Sequence, residues 1–366
     1  MSDSRRDFLR RSLALAATFG TPALFTSCGD DDPVAGGGEG TGGTVPGGDA
    51  TATTAPAAPQ RLTVMMPFPL SINFIADVAG KSGGFMEAEG VDLDLQFAPG
   101  APQALQQLAA GNVTVIRNGP VEMLLADVNE GAPFVSIGMV NQRTNYTLTS
   151  APEEAFALAD LGGLTVGLPT LGGNAEFVLD LLLRAEGVDP TTVQRQAVGN
   201  EASGYAVLQE GLVNALLVSR STVAGIRALG EEPHVDMLSD VNPLLGTNLV
   251  TTRQFLDEQH DLIVSYLAAL HATMLAINDE AQRTDLITVV RDDDWDLPQL
   301  DDPERASSII AATAGQWFEE GEENLLRNIP ERWDRGVAQL VELGVVPEGT
   351  AAADYYTNDL LDEALA

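Results

Sequence analysis

Three short strings recur in the same order, about 100 residues apart, and no other feature constrains the fold of this chain as much. Residues 62–67 (L-T-V-M-M-P) return as residues 164–169 (L-T-V-G-L-P). Residues 88–92 (A-E-G-V-D) return unchanged at 185–189, and residues 108–113 (L-A-A-G-N-V) return as 208–213 (L-Q-E-G-L-V). Any one pair is a weak signal, since short apolar strings recur by accident. Three pairs in one order describe a structural unit used twice.

Within each copy, strands and helices alternate. Residues 62–66, 91–97, 113–116 and 134–139 are short apolar or alternating runs that read as strands, with helical spacing at 101–110 and 121–129 between them. In the second copy 165–168, 193–198 and 215–218 read as strands, and Phe177, Val178, Leu181, Leu182 and Ala185 form one helical face. This alternation predicts an α/β fold of two lobes, each a mostly parallel sheet flanked by helices. Residues 145–150 and 247–252 read as strands linking the lobes. Beyond Arg253 the spacing is helical, as in Leu262, Tyr266, Leu270, Met274 and Ile277. The expected division is lobe 1 over 61–150, lobe 2 over 151–240, and over 241–366 a return strand with C-terminal helices packing on lobe 1.

The first 60 residues stand apart from that design. Residues 4–10 (S-R-R-D-F-L-R) precede an apolar run over 12–26, too short for a membrane span, and then Cys28. Arg5 and Arg6, with Phe8 and Leu9 after them, resemble the twin-arginine export signal, and Cys28 sits where a lipoprotein signal places its acylated cysteine. Residues 1–28 are therefore expected to be a signal peptide ending at a lipidated Cys28; a buried free thiol is the alternative. Residues 29–60, rich in Gly, Thr, Pro and Ala, cannot bury enough apolar surface to offset chain entropy and are expected to be a disordered tether.

Charge removes whole classes of function. The 366 residues carry 53 acidic and 19 basic side chains, a net charge of −34, which argues against nucleic acid as a partner. One cysteine excludes an internal disulfide framework and a thiolate zinc cluster. Lys81 is the only lysine and no phosphate-binding loop motif surrounds it, so nucleotide hydrolysis is excluded. His234, His260 and His271 share no motif with one another or with a nucleophile. Residues 292–296 (D-D-D-W-D) alternate like a calcium loop, but Pro303 stands where the closing Glu belongs, and the run reads as a solvated acidic turn. No cofactor and no metal is expected.

Residues 62–69 (L-T-V-M-M-P-F-P) open the first copy, and 83–95 (G-G-F-M-E-A-E-G-V-D-L-D-L) and 108–113 follow. Residues 160–174 (D-L-G-G-L-T-V-G-L-P-T-L-G-G-N) open the second, and 248–258 (N-L-V-T-T-R-Q-F-L-D-E) return from it. This order, from Leu62 to about Asn278, resembles the solute-binding proteins of ABC importers, in the branch that binds sulfonates, nitrate or thiamine-pyrimidine precursors. Thr114 and Asn214 stand where that branch commonly has aspartate, a departure that bears on the subgroup. The resemblance implies a two-lobed periplasmic-binding-protein fold (type II) that closes on a small-molecule solute and delivers it to an ABC permease, without enzymatic activity. The protein would be a monomer held by lipid at the outer face of the cytoplasmic membrane. A thiamine-pyrimidine precursor or similar planar heterocycle is favoured, sulfonate or nitrate is the alternative, and a sensing module or exported enzyme on the same fold is a second.

In open α/β sheets, ligands bind beyond the carboxyl ends of the strands, where loops enter helix N-termini. That rule selects Phe68, Pro69 and Asn73 after the first strand, and Gly172, Gly173 and Asn174 after its counterpart. Backbone N–H groups at the two glycines suit an anion or acceptor. After the third strand it selects Asn118 and Glu122, and after the matching strand of lobe 2, Arg220. Arg220 is a candidate charged contact, with a surface ion pair as the alternative. Asn118 and Asn174 offer amides to a ligand or to a helix end. Phe68, Tyr146 and Tyr205 offer stacking faces, and core packing is equally open for Phe68. Glu122 and Glu176 suit a ligand amine or a helix N-terminus.

Overall fold

The computed structural model describes residues 58–366 apart from Gly173, residues 200–201, residues 239–244 and Asp294. The export signal, Cys28 and the tether as far as residue 57 lie outside the described residues. The first half runs β1 (Gln60–Met66), α1 (Ile75–Ser82), α2 (Phe85–Ala88), β2 (Val91–Phe97), α3 (Ala101–Ala109), β3 (Val115–Asn118), α4 (Pro120–Glu130) and β4 (Phe134–Asn141). The second runs β5 (Tyr146–Ser150), β6 (Thr165–Leu168), α5 (Asn174–Ala185), β7 (Gln194–Ala197), α6 (Gly204–Gln209), β8 (Ala215–Ser219), α7 (Arg220–Ala228) and β9 (His234–Met237). After β10 (Thr247–Thr252) come α8 (Arg253–Glu258), α9 (His260–Asn278), α10 (Glu280–Asp292), α11 (Pro303–Trp317), α12 (Pro330–Glu342) and α13 (Asp359–Ala364).

Two five-stranded sheets share one plan, β2-β1-β3-β10-β4 and β7-β6-β8-β5-β9. In each, the first strand of the repeat lies parallel to its two neighbours, while β10 and β5 run antiparallel to theirs. The crossing comes earlier than the boundary expected at residue 150. Tyr146–Ser150 is already an inner strand of the second sheet, where the Thr147 hydroxyl donates to Val218 O at 3.0 Å. Each sheet thus takes its fourth strand from a crossing of the chain, β5 on the way out and β10 on the way back. The two crossings touch: a side chain at Gly246 would collide with the carbonyls of Asn141 and Arg143.

The recurring strings occupy matching places. Gly111 and Gly211, at φ +71° and +69°, end α3 and α6 in the left-handed conformation and turn the chain into β3 and β8. Glycine takes that turn without the strain a Cβ would bring.

One core joins Leu62, Val64 and Phe74 of lobe 1 to Ile263, Tyr266, Leu270, Ile309 and Trp317. α9 is long and apolar enough to cross a membrane by length and composition, but Ile263, Tyr266, Leu267, Leu270, Met274 and Ile277 are buried in this core. The C-terminal helices do more than cover lobe 1. α11 also lies against α7 of lobe 2. Trp333, Val337 and Leu340 of α12 belong to a second core running from Ile116 of lobe 1 to Leu168 and Val178 of lobe 2.

Candidate ligand-binding cleft

The carboxyl ends of β1 and β3 face those of β6 and β8 across a cleft with about 770 Å³ of empty space, part of it continuous with solvent. Lobe 1 lines it with Phe68, Asn73, Phe74, Arg117 and Asn118, and lobe 2 with Thr170, Asn174 and Ser219. The crossing adds Asn141, Asn145 and Tyr146, and α11 adds Thr313 and Gln316.

Arg117, near the end of β3, is the cation of this cleft, and only 4% of it is exposed. Its Nη1 donates to Asn73 O at 3.0 Å and lies 3.8 Å from Asp77 Oδ2. The Tyr266 hydroxyl donates to Asp77 Oδ1 at 2.6 Å, and the guanidinium sits 5.4 Å from the centre of the Phe74 ring. Burial pushes the Asp77 carboxyl up, opposed by the Arg117 charge and the Tyr266 hydrogen bond. A buried cation held by one carboxylate, one carbonyl and an aromatic face is positioned but nearly neutralised.

Beside it the polar groups are unpaired. Asn118 is buried, and neither its Nδ2 nor its Oδ1 has a partner; the same holds for Asn141 Oδ1 and both oxygens of Glu122. Glu122 sits in the first turn of α4, and burial pushes its carboxyl up to about 8, so it is mostly neutral at pH 7. Gly119 lets it meet lobe 2: a Cβ there would collide with Glu122 Oε2 and the Asn174 side chain. Burial, with the Glu122 carboxyl nearby, also raises the Tyr146 phenol, and the Asn174 amide opposes this. Glu122, Tyr146 and Asn174 therefore form one polar cluster across the lobes. The lobes also meet where the Ser221 hydroxyl donates to Asn73 Oδ1.

Of the residues selected from sequence, Phe68, Asn73, Asn118, Tyr146 and Asn174 line the cleft, and Glu122 lies directly behind it. Phe68 lines the cleft, and its ring packs 4.6 Å from that of Phe74. Pro69 is exposed and outside the cleft wall. Gly172 forms an exposed turn at φ +73° whose N–H donates to Glu176 Oε2 at 2.6 Å, and Glu176 also pairs with Arg195 at 3.3 Å. That carboxylate is engaged at its own helix end and by Arg195, outside the cleft wall. Gly173 lies outside the described residues. Tyr205 is buried in a small core with Leu208, Val218 and Ile226, because α6 presents its apolar side to the sheet. Arg220 turns away from the cleft to pair with Glu319 beyond the end of α11. Sequence reasoning passed over several cleft residues, among them Phe74, Arg117, Asn141 and Gln316. The available signal for Arg117 was a lone cation at the end of an apolar strand in so acidic a chain.

Known proteins are similar to this chain in sequence and in fold. The chain is 24% identical over 267 residues to the riboflavin-binding protein RibY of Chloroflexus aurantiacus, spanning 70% of this chain and 73% of that protein. It is 30% identical over 141 residues to the formylaminopyrimidine-binding protein of Halalkalibacterium halodurans, which is 38% of this chain and 42% of the relative. The fold is similar to the alkanesulfonate-binding protein SsuA of Xanthomonas axonopodis bound to MOPS, with TM-score 0.58 and 16% identity over 82% of this chain and 99% of that one. It also resembles an enzyme, the desulfurization enzyme DSZB, with TM-score 0.54 and 15% identity over 83% and 99% of the two chains. Residues 71–282, more than half of the sequence, match the family model described as NMT1/THI5 like, and the chain belongs to that family.

Proposed function

We propose that this protein is an extracytoplasmic solute receptor that closes its two lobes on a planar, nitrogen-rich heterocycle and passes it to an ABC importer. A thiamine-pyrimidine precursor or a relative of it is the favoured ligand. The observation that carries this reading is the set of unpaired buried groups at the cleft: Asn118 Oδ1 and Nδ2, Asn141 Oδ1 and, directly behind the wall, the Glu122 carboxyl. Buried acceptors without partners are costly, and a ligand bearing N–H groups satisfies them. A neutral carboxylic acid next to an amide suits an aminopyrimidine edge, which offers one donor and one ring-nitrogen acceptor. Phe68 and Tyr146 supply ring faces for stacking. The two named relatives bind heterocycles of this kind.

A sulfonate or nitrate ligand is the second reading, and Arg117 favours it. An oxyanion offers acceptors only, whereas among the described residues lining the cleft Asn118 Nδ2 is the one buried unpaired side-chain donor, against the acceptors Asn118 Oδ1, Asn141 Oδ1 and Gln316 Oε1. Arg117 is already engaged by Asp77 and Asn73.

Closure is the mechanism: contacts from both lobes stabilise the closed arrangement over the open one. Export by the twin-arginine route, acylation of Cys28, a monomeric state, a permease partner and a lack of catalysis belong to the same reading.

The test is a thermal-shift and calorimetric screen of the mature protein against formylaminopyrimidine, riboflavin, methanesulfonate and nitrate. A ligand at 100 times its Kd adds about 2.7 kcal/mol of stability, a clear rise in Tm. Binding of a heterocycle is expected. Binding of an oxyanion alone sinks the favoured ligand, and turnover of any of these compounds sinks the receptor reading.

A further inference from the structure

We propose that Gln316, on the C-terminal helix α11, is a specificity-determining residue of the cleft that accepts a hydrogen bond from a ligand N–H. The inference rests on reading the cleft as a heterocycle site. Gln316 lines the cleft and is 4% exposed. Its Nε2 donates to Ala312 O at 3.2 Å, which fixes the amide, because a side-chain carbonyl has nothing to give the carbonyl of Ala312. The other end, Oε1, is buried and has no partner. An unpaired buried carbonyl costs about 1–3 kcal/mol, so this one weakens the empty protein and awaits a donor from outside the chain. Thr313, on the same helix, donates its hydroxyl to Ile309 O at 3.0 Å, so its hydrogen is committed within the helix. α11 thus meets a ligand with acceptors, and Gln316 Oε1 is the one of them that is buried without any partner.

The position of α11 along the chain gives this acceptor its meaning. Asn73, Arg117, Asn118, Tyr146 and Asn174 all fall within residues 71–282, the span shared with the family, whereas α11 begins at Pro303. Proteins built on the same two lobes can therefore differ in what they select by changing this helix alone. α11 is also held firmly enough to discriminate. Trp317, 1% exposed, anchors it in the core of lobe 1. Glu319, just past its end, takes Arg220 of lobe 2. An acceptor on an element fixed to both lobes meets the ligand at one height and angle.

Gln316→Leu tests the proposal, since it removes the acceptor with little change of size. Calorimetry on the mature wild-type and variant proteins uses formylaminopyrimidine, riboflavin and methanesulfonate as probes, and Tm is measured without ligand. The wild type is expected to bind at least one heterocycle, and the variant to bind it at least tenfold more weakly with ligand-free Tm unchanged or raised. Equal affinity in both proteins overturns the role of Gln316 and leaves the heterocycle reading standing. A marked fall in ligand-free Tm shows a structural side chain and overturns it too. A wild type that binds methanesulfonate and neither heterocycle, or none of the three, overturns both, because a sulfonate has no N–H to give.

Discussion

The two sheets share connectivity and register, yet they put different chemistry at the same place. β1 pairs Met65 with Ile116 of β3, and β6 pairs Gly167 with Leu216 of β8. The next residue along is Arg117 in lobe 1 and Leu217 in lobe 2, both buried. Lobe 1 compensates its cation with Asp77, Tyr266 and Phe74, and lobe 2 needs no compensation because it buries an aliphatic side chain. Five residues further the difference repeats: Glu122 against Thr222, at matching points of α4 and α7. Duplication kept the frame and let ionisable groups collect in one copy. On the proposed reading lobe 1 supplies the buried ionisable groups of the cleft, and lobe 2 adds Tyr146 and Asn174.

The hardest blow to this asymmetry is to make lobe 1 like lobe 2. Arg117→Leu alone leaves Asp77 buried without its cation, and the expected loss is about 3–5 kcal/mol, read by chemical denaturation. Replacing Asp77 by Leu in the same protein should recover part of that stability, less the cost of leaving the buried Tyr266 hydroxyl without its acceptor. If the single variant is as stable as wild type, Arg117 and Asp77 are not coupled as described.

Glu122 gives a sharper, smaller effect. Its carboxyl titrates near 8 when folded against an ordinary value of 4.5, so between those pH values the folded state holds a proton that the unfolded state has released. Stability must then fall as pH rises, by about 2.5 kcal/mol between pH 5 and pH 7 from this group. Glu122→Gln should flatten that slope and raise Tm at pH 8 relative to wild type, whereas Thr222→Ala in lobe 2 should leave the slope alone. A slope that survives in the Gln variant would assign it to other carboxyls.

Smallest is the arginine of lobe 2. Arg220 and Glu319 keep side-chain exposures of 18% and 23%, so their pair contributes about 1 kcal/mol and is screened by salt. Arg220→Ala should weaken ligand affinity less than tenfold, with the deficit shrinking as salt is added. A larger, salt-independent loss would mean that Arg220 touches the ligand after all.

The shared frame was legible in the sequence because strands, helices and left-handed glycines leave periodic marks: Gly111 and Gly211 sit inside the recurring strings themselves. The site was legible only where position alone settles it, as for Asn73, Asn118 and Asn174 at loops beyond strand ends. Which arginine faces the cleft depends on Asp77 and Tyr266, residues far away in the chain, and nothing local to Arg117 or Arg220 reports it. Tyr205 looked like a stacking ring because a buried and a cleft-facing tyrosine read alike. Gln316 sits in an ordinary helix whose spacing predicts core, and only the crossing of α11 over both lobes brings it to the cleft.

The exchange of β5 and β10 sets an order of assembly. Every strand of the second sheet has been synthesised once the chain reaches Met237, because β5 precedes the rest. The first sheet has a gap between β3 and β4 until residues 247–252 arrive to fill it. Chains usually fold their N-terminal unit first as they emerge from the ribosome. Here the sheet that is begun second is the one whose strands are complete first, and the sheet begun first waits with an open slot for a strand made after its partner.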